Sequence, residues 1–163
     1  MIYLSVPAVP ISTNHAYVTG RNGIRFLTKE GKAFKNLFKV HIARQYPREL
    51  QTLRPNMPYT ALVLFTFKGE DTLFCKGYAT GAAENRYKPL DVSNRYKLLE
   101  DTLKEATNID DRHYFSAGFE KNWSETAERT DIWIWNEETE RSPLRELFNQ
   151  LVGGLAAPGA KSY

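Results

Sequence analysis

Two short acidic segments, residues 91–94 and 110–111, hold the side chains best suited to chemistry. Asp91 stands at the expected start of a helix, where backbone amides and the helix dipole favour an ionised carboxylate. Asp110 and Asp111 follow in the turn after that helix. If the next strand lies beside the strand that leads into the helix, Asp111 comes near Asp91. Converging carboxylates are ligands for a hard cation such as Mg²⁺, which activates water for attack on a phosphodiester.

Lys97 lies on the same expected helix and could place a positive charge on a scissile phosphate. Each of these residues also has a simpler interpretation. A lone Asp at a helix start is most often an N-cap, and an Asp-Asp pair in a turn commonly serves the turn or is solvated. Lys97 could pair with Asp101, four residues further on, as an ordinary surface ion pair. Residue types and spacing alone therefore leave both interpretations open.

The helices that position these residues are predicted from apolar residues at helical spacing. Thr28 is expected to cap a helix that runs to about Tyr46, where Pro47 ends it. The buried stripe of this helix is expected to consist of Phe34, Leu37, Phe38, His41 and Ile42. A second helix is expected from about Ser93 to Ala106, and Ser142 followed by Pro143 begins a third.

Strands are predicted where short apolar or alternating stretches are bounded by turn residues. These stretches are residues 1–6, 61–67, 113–120 and 131–135. A hairpin is expected between residues 16–19 and 23–27, because an Asn-Gly pair tolerates the positive φ of a tight turn. Together the elements predict an α+β fold: a small mixed β-sheet with two main helices on it, plus an extra C-terminal helix.

Basic residues are concentrated in the first part of the chain. Residues 1–60 hold nine Lys and Arg against two acids, whereas the rest holds 13 basic and 17 acidic side chains. Such asymmetry fits a polyanion-binding surface beside a carboxylate site; a lysine-rich, solvated helix face is the simpler alternative. The candidate nucleic-acid contacts are Asn14, Lys32, Lys35, Arg86, Lys88 and Asn94.

Composition narrows the class of protein further. With 163 residues and 42% apolar side chains, the chain is expected to be globular, with a domain at residues 1–140 and a helix and tail at 141–163. A single cysteine, Cys75, excludes an internal disulfide framework, and the histidines lack zinc-ligand spacing. Neither a signal peptide nor a membrane span is evident, so a cytoplasmic protein is expected.

The second helix and the turn after it resemble the RusA family of Holliday junction resolvases. The family pattern joins an Asp-x-(Asp/Ser)-Asn motif to a lysine, an aspartate and a closing Asp-Asp pair. Here it consists of Asp91, Ser93, Asn94, Lys97, Asp101, Asp110 and Asp111. Pro10, Ser12 and Asn14, the hairpin and the opening of the first helix resemble the family as well. The similarity covers residues 1–137 in the same order.

The resemblance implies a homodimer that resolves four-way DNA junctions by paired symmetric nicks in recombination and repair. Asp91 and Asp111 would be catalytic metal ligands for Mg²⁺, with Mn²⁺ as a substitute and Asp110 as an auxiliary ligand. Lys97 would be the catalytic basic residue near the phosphate. A two-fold enzyme suits two symmetric nicks in a quasi-symmetric junction.

Ser93 is the departure that matters most, because some family members have a second aspartate there. A hydroxyl is a poorer metal ligand than a carboxylate, so the alternative function is a branched-DNA-binding protein that retains the fold without cleaving. The loop before Asp91 is also longer than expected. The apolar stripe of the third helix could pack on the domain or dock a partner, and a scaffold role through this helix is a further alternative.

Overall fold

The computed structural model describes residues 1–69 and 92–153, except for the side chains of Phe115 and of residues 151–153. The strands are β1 (Ile2–Val6), β2 (Tyr17–Thr19), β3 (Arg25–Leu27), β4 (Tyr59–Lys68), β5 (Tyr114–Ser124) and β6 (Arg129–Asn136). The helices are α1 (Thr13–Ala16), α2 (Lys29–Gln45), α3 (Pro47–Thr52), α4 (Val92–Thr107) and α5 (Pro143–Gly153). A 3₁₀ turn spans Asp111–His113.

The central sheet has the strand order β1-β6-β4-β5. Strand β6 runs antiparallel to both of its neighbours, whereas β5 lies parallel to β4. A parallel pair needs a crossover connection, and α4 lies in the segment that joins β4 to β5. The predicted α+β fold with a mixed sheet is therefore confirmed, and the apolar stretch 61–67 lies in a central strand as expected.

The core lies between one face of the sheet and the helices α2 and α4. Phe38 and Ile42 of α2 and Leu98 and Leu99 of α4 are fully buried in the same cluster as Val63 of β4. Burying side chains of this size stabilises the fold by about 1.5–3 kcal/mol each. The sheet and two helices thus form a frame that fixes the polar face of α4.

The first turn of α2 packs closely against the end of α1. The Thr28 hydroxyl accepts a hydrogen bond from Gly31 N at 3.1 Å, which confirms the predicted cap. A Cβ at Gly31 would lie 2.9 Å from the carbonyl oxygen of Ala16, so a larger residue would push the two segments apart. This close approach holds the N-terminal segment against α2.

The predicted stripe of α2 is correct at Phe34, Phe38 and Ile42 but wrong at Leu37, which is 44% exposed. Lys35, which was not part of the predicted stripe, is buried instead, with 9% of its surface accessible. The reason is that α4 packs on this side of α2, where Glu105 pairs with the Lys35 ammonium at 2.6 Å. An ion pair with a residue far along the chain has thus overridden the local pattern.

Helix α5 lies on the other face of the sheet. The Ser142 hydroxyl accepts a hydrogen bond from Arg145 N at 3.1 Å, which confirms the predicted helix start. Leu144 packs on β4 and β5, since a Cβ at Gly118 would lie 3.2 Å from Leu144 Cδ2. Phe148 is 55% exposed. The boundary placed near residue 140 stays a prediction.

None of the helices within residues 1–69 and 92–153 has the length and apolar character that crossing a bilayer requires.

Candidate active site

Lys97, in the second turn of α4, is the centre of a cluster of carboxylates. Its ammonium nitrogen lies 2.8 Å from Glu100 Oε2, 3.5 Å from Asp111 Oδ2 and 3.7 Å from Asp101 Oδ1. The hydrogen bond to Glu100 is the main reason that the pKa of Lys97 is raised above its ordinary value. Half of the lysine side chain remains exposed, so a protonated ammonium is presented to solvent among acidic groups.

Asp111 reaches this cluster because the chain reverses sharply after α4. Asn108 adopts a positive φ of 58°, and Ile109 is completely buried beneath the turn. The Asp110 carboxylate then accepts a hydrogen bond from Arg112 N at 3.3 Å and caps the 3₁₀ turn. Asp111, with its side chain 46% exposed, is left facing Lys97.

Asp110 pairs with a different lysine from Asp111. Its carboxylate lies 2.7 Å from the ammonium of Lys104, two helical turns beyond Lys97. This hydrogen bond is the main cause that lowers the pKa of Asp110 below its ordinary value. Asp110 therefore serves as a cap and an ion-pair partner, and its predicted part as an auxiliary metal ligand stays a prediction.

The N-terminal motif lies along the first turns of α4. The Thr13 hydroxyl donates to Asn94 Oδ1 at 3.1 Å, and the Arg95 guanidinium donates to the carbonyl of Pro10. Asn14 is exposed in α1, next to Thr13. The two parts of the sequence that carry the family resemblance are therefore in contact, although more than 80 positions separate the hydrogen-bonded residues.

Two residues of the cluster were missed by the sequence analysis. Tyr17 donates a hydrogen bond from its hydroxyl to Asp101 Oδ2 at 3.1 Å. Nothing in the sequence indicates this contact, because it depends on how the hairpin packs on α4. Glu100 was predictable, because residues three apart on a helix are neighbours and Lys97 lies three residues before it.

The donor chemistry of the cluster fits a hard divalent cation. Asp101 and Asp111 offer carboxylate oxygens that already share one positive partner, and such oxygens are the ligands that Mg²⁺ prefers. Within the described residues, no three His, Cys, Asp or Glu side chains are arranged as a metal-binding group. Asp91, the other predicted ligand, immediately precedes Val92 of α4 but lies outside the described residues.

The candidate DNA contacts of α2 differ in exposure. Lys32 is exposed, whereas the Lys35 side chain is 11% exposed and is bound to Glu105. Lys39 also binds Glu105, at 2.9 Å. Lys35 thus contributes to the contact between α2 and α4, and it would have to leave Glu105 to reach a phosphate. Arg86 and Lys88 lie outside the described residues.

The Lys35–Glu105 contact predicts a pH-dependent contribution to stability. Lys35 is the main cause that lowers the pKa of Glu105 below its ordinary 4.5, so its stabilising effect is complete above that value and is lost as the pH falls through the lowered pKa. We expect Glu105→Gln to reduce the free energy of unfolding at about pH 7 by about 0.5–1 kcal/mol. The difference from the wild type should shrink by about pH 3.

Urea unfolding at both pH values measures this effect, with Glu128→Gln as the control. Glu128 is exposed between β5 and β6, and it has no ion-pair partner within the described residues. Its replacement should leave the free energy of unfolding unchanged within about 0.5 kcal/mol. A wild-type advantage over Glu105→Gln that persisted at the lower pH would contradict the expected linkage.

Comparison with known proteins gives one result that bears on this site. Residues 7–135 match the model of the family described as endodeoxyribonuclease RusA. No curated protein gave a match. The matched range includes the N-terminal motif, the hairpin, α2, α4 and the Asp110-Asp111 turn. It covers most of the chain, and the chain therefore belongs to the RusA endodeoxyribonuclease family.

Proposed function

We propose that this protein is a Mg²⁺-dependent endonuclease that resolves four-way DNA junctions by paired nicks. Membership of an endodeoxyribonuclease family supports nuclease activity. The observation that carries the proposal to particular residues is the approach of Asp111 to Lys97, with 3.5 Å between Oδ2 and Nζ. An acidic group and a fixed cation that are both half exposed suit a phosphodiester, which needs its charge neutralised during attack by water.

In this proposal Asp91 and Asp111 hold the Mg²⁺ ion, for which Mn²⁺ can substitute. When bound, the ion activates a water molecule and neutralises charge on the phosphate. Lys97 contributes a second positive charge, and its raised pKa keeps that charge in place near neutral pH. Glu100 orients the ammonium through the 2.8 Å contact, so that Lys97 is fixed before DNA arrives.

The DNA is proposed to lie across the exposed polar residues around this site. Asn94 in α4 accepts a hydrogen bond from Thr13, the residue before Asn14 in α1, and both asparagines are proposed to bind sugar or phosphate oxygens. Lys32, Arg86 and Lys88 are proposed as further phosphate contacts. A homodimer would supply two such sites related by a two-fold axis, as two nicks in opposite strands require.

Cleavage of a synthetic four-way junction tests the proposal. Each of its strands is labelled in turn, and the products are mapped on denaturing gels with Mg²⁺, Mn²⁺, Ca²⁺ or EDTA. We expect nicks in one opposite pair of strands with Mg²⁺ or Mn²⁺, and an intact linear duplex of matched sequence. A folded protein that leaves the junction intact with every metal, or that cuts the duplex equally well, would contradict the proposal.

Ser93 supports a second candidate, a branched-DNA-binding protein without turnover. It is exposed in the first turn of α4 and supplies a hydroxyl where some family members have a carboxylate. This candidate predicts salt-sensitive junction binding with no product in Mg²⁺. Ser93→Asp should then introduce nicking. Cleavage by the wild-type chain would exclude this alternative.

A further inference from the structure

The hairpin formed by β2 and β3 has an apolar outer face. Val18 and Phe26 lie directly opposite each other in the antiparallel register and are 55% and 51% exposed. Ile24, at the turn, is 52% exposed. Large apolar side chains that are exposed together on one surface commonly mark a binding site. The core gains little from them, since each has half of its surface in solvent.

The inner face of the same hairpin is anchored to the protein. Leu27 packs against the core, and the Tyr17 hydroxyl binds Asp101 of the candidate active site at 3.1 Å. The Arg25 guanidinium stands 4.9 Å from the centre of the Tyr17 ring. Successive residues of a strand point to opposite faces, so anchoring these side chains turns Val18 and Phe26 outward. The apolar face is thus held at a fixed place beside the active site.

The ring of Phe26 is supported from within the hairpin. A Cβ at Gly20 would lie 2.9 Å from Phe26 Cε2, so the ring rests directly on the backbone of the turn. A larger residue at position 20 would displace it. An exposed aromatic ring that is supported on one side and open on the other suits stacking against another flat group.

The charges around this face identify the kind of partner. Arg21, Arg25, Lys29 and Lys32 are exposed on the hairpin and the first turn of α2, against the single acid Glu30. Within the described residues, Arg21, Lys29 and Lys32 form no ion pair. A second copy of the chain would set this basic rim against itself in a two-fold contact. A polyanion with exposed aromatic faces, which is DNA with unstacked bases, matches both the charge and the apolar character.

We propose that the hairpin is a base-stacking surface, in which Phe26 stacks on an unpaired or unstacked base while Arg21 and Lys29 bind the flanking phosphates. This inference rests on the proposed action on DNA and gives it a substrate preference. Bases at a branch point or in a single strand cost less to unstack than bases within a duplex. The hairpin therefore favours branched and single-stranded DNA over linear duplex.

Binding of three DNA substrates by Phe26→Ser tests the inference. The affinities of the full-length protein for a four-way junction, a single strand and a linear duplex are measured by fluorescence anisotropy in EDTA. We expect the variant to lose about tenfold or more in affinity for the junction and the single strand, and less than about threefold for the duplex. Val40→Ser is the matched control: Val40 is 49% exposed on α2 and should show no loss for any substrate.

A second variant keeps the test valid if serine disturbs the hairpin. Phe26→Trp retains an aromatic ring, and the fluorescence that it adds to that of Trp123, Trp133 and Trp135 should be quenched by the junction and the single strand but not by the duplex. Equal affinities of Phe26→Ser and wild type would overturn the inference, as would an equal loss for all three substrates. If the wild type sediments as a dimer and Phe26→Ser as a monomer, the face is a contact between copies of the chain and the inference is overturned.

The outcomes for the hairpin and for cleavage are separable, because binding is measured without a divalent metal. If Phe26→Ser binds like the wild type while the wild type nicks junctions, the hairpin inference fails and the proposed nuclease stands. If the wild type binds branched DNA through Phe26 but never cuts it, the hairpin inference holds and the cleavage proposal fails.

Discussion

Replacing Asp111 with Asn is expected to lower the rate of junction cleavage in Mg²⁺ by at least about a hundredfold. Asn has nearly the same size but lacks the negative charge that a metal ligand supplies. The loss corresponds to about 3 kcal/mol of transition-state stabilisation. The fold should tolerate the change, because the Asp111 side chain is 46% exposed and its contact with Lys97 is a long one, 3.5 Å. Single-turnover cleavage with saturating protein measures the rate.

Asp110→Asn is the matched control for this prediction. Asp110 is adjacent in sequence, but its carboxylate binds Lys104 and caps the 3₁₀ turn. Because Asp110 is at most an auxiliary ligand, its replacement should lower the cleavage rate less than about tenfold. Junction binding in Ca²⁺ should be equal or tighter in both variants, since each removes a negative charge near the DNA. Equal rate losses in the two variants would contradict the proposal that Asp111, and not Asp110, is an essential metal ligand.

Replacing Lys97 with Met is expected to reduce the cleavage rate by roughly a hundredfold or more, the usual effect of removing one fixed donor from a developing negative charge. Methionine keeps the length and most of the apolar stem while removing the ammonium. The substitution leaves Glu100, Asp101 and Asp111 without their shared cation. It should therefore weaken DNA binding as well, through repulsion between these carboxylates and the phosphates. Single-turnover rates and anisotropy separate the two effects.

Lys104→Met is the control, because Lys104 lies on the same helix with a nearly equal exposure, 50% against 52%, and also pairs with an aspartate. Its loss should change the cleavage rate less than about threefold.

The raised pKa of Lys97 leads to a prediction about the pH dependence of cleavage. The hydrogen bond to Glu100 is the main cause of that rise, so the rate should not decline through deprotonation of Lys97 between about pH 7 and 9. A decline that Lys97→Arg abolished would contradict this.

Much of the frame was predictable because it depends on local rules. Thr28 and Ser142 cap helices as their hydroxyls predict, and Gly23 takes the positive φ of 78° that the hairpin turn requires. Leu98 and Leu99 are buried as the helical spacing indicates. The short helices α1 and α3 were not predicted, since each is too brief to show a period. Strand β5 extends to Ser124, beyond the predicted residue 120.

The candidate site was predictable only where neighbours are close in sequence or where a family pattern supplies them. Lys97 and Asp101 are four apart and do approach each other. The approach of Asp111 to Lys97 required knowledge of the turn at Asn108, whose positive φ reverses the chain. The contact of Tyr17 with Asp101 joins segments 84 positions apart, and no local rule could have indicated it. Family resemblance, rather than spacing, indicated this candidate site.

The most direct test of the proposed site is a crystal structure of the protein with Mn²⁺, in which anomalous scattering locates the metal. The proposal predicts a peak between Asp91 and Asp111, with their carboxylates about 4–6 Å apart and both in reach of one ion. Lys97 should lie beside it with an open path to solvent. Asp91 and Asp111 carboxylates that point away from each other would contradict the proposed active site. A metal bound elsewhere while this site remains empty would contradict it as well.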